Sequence, residues 1–212
     1  MSASDHEHRD LLALDPDQLL TTTRAVRRRL DLRRPVDRRL IEECIGIGLQ
    51  APNASNLQEW GFVVVTDPER RLELAKLYRR AAAGYYDDPD PARNRRLSSG
   101  RHLIEHLHEV PAHVIPCIPG RTDAADIYEQ ASQWGSIIPA AWSFMLAARA
   151  RGLGTAWTTW HLMYEREAAA LLGIPYDDVM QVALIPVAHV LGTDFKPARR
   201  RSVQDVVRWN EW

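Results

Sequence analysis

The sequence predicts a layered α+β fold. Short strand-like runs alternate with longer helical patterns, and helices dominate. The clearest strand is Gly61-Phe62-Val63-Val64-Val65, a β-branched run closed by Thr66-Asp67-Pro68, which reads as a buried, central strand. The clearest helix covers about 130–151. It is apolar on most faces, from Trp134 through Ile137, Ile138, Trp142 and Phe144 to Ala148, so burial on several sides is expected.

The remaining elements follow in order. Residues 1–14 read as a mobile N-terminal tail, and 15–212 as a single domain. Asp15-Pro16-Asp17-Gln18 has an N-cap, a first-position proline and a capping-box glutamine, so a helix starts there. A second helix is expected over 36–50, with Val36, Leu40, Ile41, Cys44, Ile45 and Leu49 inward. Asp67-Pro68 starts a third, through about Tyr78. Residues 81–100 are rich in breakers and read as a loop or lid. A helix over about 100–109 leads to a strand at 112–120, which Pro116 demotes to an edge or a bulge. Gly152 caps the long helix, and Pro139 is a site for a kink in it. Residues 155–160 read as a short strand, 165–172 as a helix stopped by Gly173 and Pro175, and 182–190 as a strand.

Composition excludes several classes. A net charge of −1 gives no bulk attraction to nucleic acid or an anionic membrane. No run of 18 apolar residues is present, and the N-terminus has no apolar signal core, so a cytoplasmic protein is expected. Cys44 and Cys117 lie in apolar surroundings and read as buried thiols. Neither G-x-G-x-x-G nor G-x-x-x-x-G-K-[ST] occurs, which argues against a Rossmann or P-loop site. Seven tryptophans point to aromatic surfaces for a flat ligand or a large interface, or equally to packing alone.

The chemistry-bearing stretch is Ala51 to Val65. Pro52 ends a helix, and then Asn53, Ala54, Ser55, Asn56 and Gln58 make an amide-rich loop able to read the edge of a planar heterocycle. Upstream lies TTTRAVRRRLDLRRPV (21–36). Downstream lie RGLGTAWTTWHL (151–162) and GTDFKPARRRSV (192–203). In this order the four stretches resemble the FMN-dependent nitroreductase family, over roughly residues 20–212.

The resemblance implies a central, mostly antiparallel sheet flanked by helices, an intertwined homodimer, and FMN at the subunit interface. It places Arg24-Ala25-Val26-Arg27, with Arg28 as the alternative register, at the flavin phosphate. Ala25 departs from the family's serine. Lys196 and Arg200, or Arg199 in the other register, close on the same phosphate. Pro52, Asn53, Ala54, Ser55, Asn56 and Gln58 reach the flavin from the other subunit. Trp157, Thr158 and Thr159 pass beside the ring, where a threonine or backbone donor bonds near N5. Trp134 and Trp160 are candidate walls of the acceptor pocket. The C-terminal segment, about 192–212, wraps onto the partner subunit.

The implied activity is hydride transfer from NAD(P)H through FMN to a small electron-poor acceptor, a nitroaromatic or quinone, with no indispensable catalytic side chain. Two alternatives stand beside it: a flavin-binding or flavin-processing protein of the same fold without NAD(P)H turnover, and a nucleic-acid adaptor using the arginines of 24–39. Asp31, Asp37, Glu42 and Glu43 interrupt that basic run and count against the second. His102-Leu103-Ile104-Glu105-His106 matches the inverted zinc-protease pattern, but no downstream glutamate on a second helix completes it, so no metal is expected.

Overall fold

The computed structural model describes residues 11–85 and 91–212. One antiparallel sheet holds β1 (Gly61–Val65), β2 (Ala112–Pro119), β3 (Leu153–Thr155), β4 (Val179–Gln181) and β5 (Ile185–His189). Its order is β1-β2-β5-β3, with β4 also beside β2. The helices are α1 (Pro16–Thr22), α2 (Arg38–Gly48), α3 (Pro68–Ala81), α4 (Pro91–His106), α5 (Ile127–Ala150) and α6 (Glu165–Leu172).

Alternation along β2 builds the layers. Ala112 and Val114 face α2 and α5, among Leu40, Ile41, Cys44, Phe144 and Met145. Ile115 and Cys117 face the other way, towards Leu74 and Tyr78 of α3, Leu103 of α4 and Ala168 of α6. The result is the expected layered α+β fold, with the sheet between two helical layers. Both cysteines are buried, and neither forms a disulfide among the described residues. Gly48 sets the spacing of α2 on α5: a Cβ there would lie 2.8 Å from the Ala140 carbonyl oxygen. No helix among the described residues is long and apolar enough to cross a membrane.

Several local expectations hold. Asp15 and Gln18 form the capping box of α1, with Pro16 at its first turn. Asp67 caps α3, and Gly173, at φ 70°, caps α6. Pro116 marks a bulge. Ala112–Val114 pair with β5 and Cys117–Pro119 with β4. Between them Val182, Ala183 and Leu184 stand opposite only Ile115 and Pro116, and the Val182 amide donates to the Pro116 carbonyl. The bulge falls where proline has no N–H to give.

Others are corrected. β1 is not central: it ends the strand order, and Val64 is 38% exposed. Composition reports the buried face of a strand but not its place in the sheet. The strand expected at 182–190 begins only at Ile185, because 182–184 form the bulge between β4 and β5. The strand expected at 155–160 ends at Thr155; a lone bridge at Thr158 follows, then a 3-10 turn from Trp160. Residues 91–100, read as loop, belong to α4, which Pro91 opens rather than breaks. Residues 86–90 of that stretch lie outside the described residues, as do 1–10 of the expected tail. Residues 11–14 are held, because the Leu12 amide donates to the Ala150 carbonyl at 2.8 Å. Leu49 falls just past α2 and is exposed, not inward. The helix passes Pro139 without interruption.

Candidate functional site

The arginine segment is seated from below. Val26 and Leu30 are buried. The Val26 amide donates to the Thr155 carbonyl on β3 at 2.8 Å, and Leu30 pairs with Val190. Gly154 permits this close approach, since a Cβ there would meet Val190, Leu30 and Val26 side chains at 2.7–3.0 Å. Gly152, at φ 73°, makes the turn into β3. The Gly-Leu-Gly motif is therefore the floor on which the arginines rest.

Above that floor Arg24, Ala25, Arg27, Arg28 and Arg29 surround a shallow cavity of about 260 Å³, with Ser99 of α4 and Phe195 as further walls. The C-terminal segment comes to it. Arg24 Nη1 donates to the Lys196 carbonyl at 3.1 Å. Arg29 Nε donates to the Leu191 carbonyl at 2.8 Å, and its Nη2 to Asp194 Oδ1 at 2.6 Å. That hydrogen bond lowers the Asp194 pKa. The Arg29 guanidinium lies 4.3 Å from the Phe195 ring centre and the buried Arg149 guanidinium 4.8 Å. Burial first, then Arg29, lowers the Arg149 pKa.

Arg29 and Arg149 thus hold the chain, whereas Arg27 and Arg28 form no ion pair among the described residues. A cavity lined by four arginines, two of them without an ion pair among the described residues, fits a dianionic phosphate. Arg200 is exposed and donates to the Arg199 carbonyl; it does not line this cavity. Arg29, Ser99 and Phe195 were missed in the sequence. Phe195 adjoins the Lys196 motif, but Ser99 carried no signal, because its segment read as loop.

The amide loop has an unusual backbone. Ser55, Asn56 and Gln58 have φ of 50°, 54° and 54°, the left-handed region that L-residues avoid. The Gln58 amide donates to Asn53 Oδ1 at 3.0 Å, Gln58 Nε2 to Asn56 Oδ1 at 3.2 Å, and the Ala54 amide to Ser136 Oγ at 3.0 Å. Such strain persists only where surrounding contacts impose it, and it clusters at ligand sites. Pro52, Asn53, Asn56 and Gln58 edge one depression. Asn53, Ala54, Gln58 and Trp60 line a second cavity of about 290 Å³ against Ser132, Gln133 and Ser136 of α5.

The third segment divides its threonines. Thr158 is buried, and both its amide and its hydroxyl donate to the Leu184 carbonyl, at 3.2 and 2.6 Å. Thr159 is exposed. Trp134 and Trp157 pack around Ile118, Ile137, Met180 and Val182. Trp160 meets Tyr85 edge-on, ring centres 4.8 Å apart.

One chain does not join the two halves. The arginine segment lies on β3, at one end of the strand order, and the amide loop leads into β1 at the other. Three strand spacings of about 4.8 Å separate them. α5 meanwhile leaves Tyr128, Ala131, Gly135, Ile138 and Trp142 exposed, a stripe spaced three and four residues apart. The C-terminal segment is exposed along nearly its whole length, with Trp209 at 83% and Trp212 fully so.

Comparison with known proteins gives the family and the fold. A sequence model of the Nitroreductase family matches residues 20–189. A 5,6-dimethylbenzimidazole synthase of Rhodospirillum rubrum is 29% identical over 146 residues, 66% of this chain and 67% of that protein. Iodotyrosine deiodinase, in a crystal structure with FMN and 3-iodo-L-tyrosine, superposes with TM-score 0.71 at 21% identity, over 92% of this chain and 98% of the other. An FMN and NADPH-dependent nitroreductase from Sphigopyxis sp. strain HMH superposes with TM-score 0.67 at 23% identity, over 94% and 100%.

Proposed function

Since this chain belongs to the nitroreductase family, we propose that it is a homodimeric FMN-dependent oxidoreductase with a flavin site at the subunit interface. One observation carries the reading: the arginine cavity, where Arg27 and Arg28 form no ion pair among the described residues, and the strained amide loop lie at opposite ends of one sheet. Each half is incomplete alone, and a second copy laid against the exposed α5 stripe supplies the missing half.

In this reading Arg24, Arg27 and Arg28 hold the phosphate, with Lys196 brought close by the Arg24 bond to its carbonyl. Arg200, on the exposed arm that wraps the second subunit, closes on the same group. Pro52, Asn53, Ala54, Ser55, Asn56 and Gln58 of the opposite copy present amides and backbone donors to the ring edge and ribityl chain. Thr159 supplies a neutral donor near N5, because the donors of Thr158 are already engaged by Leu184. Trp134, Trp157 and Trp160 wall the acceptor pocket and exclude water. Held by these residues, FMN would supply the hydride-transfer chemistry between NAD(P)H and an electron-poor acceptor of the nitroaromatic or quinone class, in a ping-pong cycle. Solvent protonates the product, and the protein works in the cytoplasm.

The similarity to a dimethylbenzimidazole synthase favours a second reading, a flavin-processing enzyme without NAD(P)H turnover. Anaerobic spectroscopy separates the two. A yellow protein bleached by NADH or NADPH and recoloured by a nitroarene or quinone supports the first. A yellow protein that neither nucleotide bleaches supports the second. A colourless protein that retains nucleic acid overturns both.

A further inference from the structure

We propose that His102, Glu105 and His106 on α4 form a surface site for a divalent d-block cation of the zinc, nickel and copper class. Residues four apart on a helix share one face, so the two imidazoles stand one above the other. Their ring centres are 4.4 Å apart. One ligand atom from each of the three side chains falls within 4.8 Å of the others. A zinc–nitrogen bond of about 2.0–2.1 Å requires ligand atoms roughly 3.3 Å apart in a tetrahedron. The remaining gap is closed by small side-chain rotations, since Glu105 is exposed and both histidines are only half-buried.

His106 is also oriented. Its Nδ1 lies 2.6 Å from Glu109 Oε1. With Nδ1–H donated to that carboxylate, Nε2 keeps its lone pair for a metal, the usual second partner of a ligating histidine. Glu105 and Glu109 counter part of the positive charge that Arg28 contributes at His102. Two imidazoles and a carboxylate select this class of metal over magnesium or calcium. A fourth position is left to water, so binding is reversible.

Calorimetry with Zn²⁺ on the full chain tests the site. One equivalent is expected, with affinity at least tenfold weaker in His102→Ala and in His106→Ala, and reduced less by Glu109→Gln. With Cu²⁺, nitrogen hyperfine structure in the electron paramagnetic resonance spectrum is expected and should be lost in the same variants. Alanine suits a helix, and unchanged far-ultraviolet circular dichroism will verify folding. His6 and His8 provide the control. Zn²⁺ affinity that survives both α4 substitutions, or that disappears in a His6→Ala/His8→Ala variant, overturns the proposal.

Discussion

Arg24 Nη1 donates to the Lys196 carbonyl, joining two segments 172 residues apart in the chain. The bond fixes where the C-terminal segment leaves the body, beside the cavity that the arginines surround. The cavity is thus made from both ends of the sequence. The same contact divides the arginines by role. Arg29 holds the segment through Leu191 and Asp194, whereas Arg28 is exposed and unpaired among the described residues.

Arg28→Ala should therefore weaken FMN binding without unfolding the protein. Losing one charge-assisted bond of about 1.5–3 kcal/mol raises the dissociation constant roughly 10–100-fold. Flavin fluorescence titration of the apoprotein measures it, and the apoprotein melting temperature should stay put. Arg29→Ala should act differently, freeing the segment after Leu191 to proteolysis. An unchanged flavin affinity in Arg28→Ala would remove the arginine cavity from the site.

A charge on the exposed α5 stripe should separate the subunits. Trp142 is 38% exposed and Ile138 43% in the single chain. A glutamate at either position tolerates solvent in a monomer but is costly when desolvated in an apolar interface. Trp142→Glu should elute at half the parent mass in light scattering and lose its flavin with the dimer. A monomer that keeps FMN at parental affinity would show the site to be complete in one chain.

Asn56→Gly tests the strained loop. Asn56 holds φ 54°, where an L-residue is disfavoured by about 1–2 kcal/mol and glycine is not. Glycine's greater freedom in the unfolded chain offsets that gain by about 0.4–1 kcal/mol. The urea midpoint should move little. The variant nevertheless loses the Oδ1 that accepts from Gln58 Nε2 at 3.2 Å. Flavin affinity should fall while stability holds. Loss of both together would mean that the loop serves folding rather than binding.

Much of this was legible in the sequence because local chemistry decided it. Asp15-Pro16 and Asp67-Pro68 carry their own helix-start signal, and Pro116 restricts its strand to an edge or a bulge. What local chemistry could not reveal was arrangement. Gly61–Val65 has the composition of a central strand but lies at an edge, because strand order depends on pairing partners far along the chain. Leu49 fits the α2 stripe but falls beyond the last turn. Ser99 entered the cavity only because α4 begins at Pro91, within residues that composition marked as breakers. The arginine and amide motifs were individually readable. That they lie at opposite ends of the sheet was not.

Gly48→Ala should loosen α2 from α5. The new methyl would meet the Ala140 carbonyl oxygen at 2.8 Å, and backbone cannot swing aside as a side chain can. Overpacking of this kind costs about 1–3 kcal/mol. The urea midpoint should fall accordingly, although alanine has the better helix propensity. A variant as stable as the parent would mean that the two helices part without penalty.

Two buried histidines set a pH limit on stability. His113 on β2 and His161 in the turn after Thr159 each have a pKa pushed down to about 3. Burial is the main cause for both, with Arg71 and then His161 adding to it at His113. The unfolded chain takes up protons first, near the ordinary value of 6.5. Above pH 6.5 both states are neutral and stability is at its full value. As pH falls from 6.5 towards 3, only the unfolded state gains protons, so stability falls. Each histidine shifts the folding equilibrium by up to about tenfold per pH unit, and the pair by about a hundredfold. Urea midpoints between pH 7.5 and 5 follow this effect, because most carboxylates titrate lower; His102 and His189, whose pKa values burial also lowers, add to it in the same direction. His161→Leu should make the slope shallower. A midpoint that does not change over that range would show that the buried imidazoles gain protons without opening the fold.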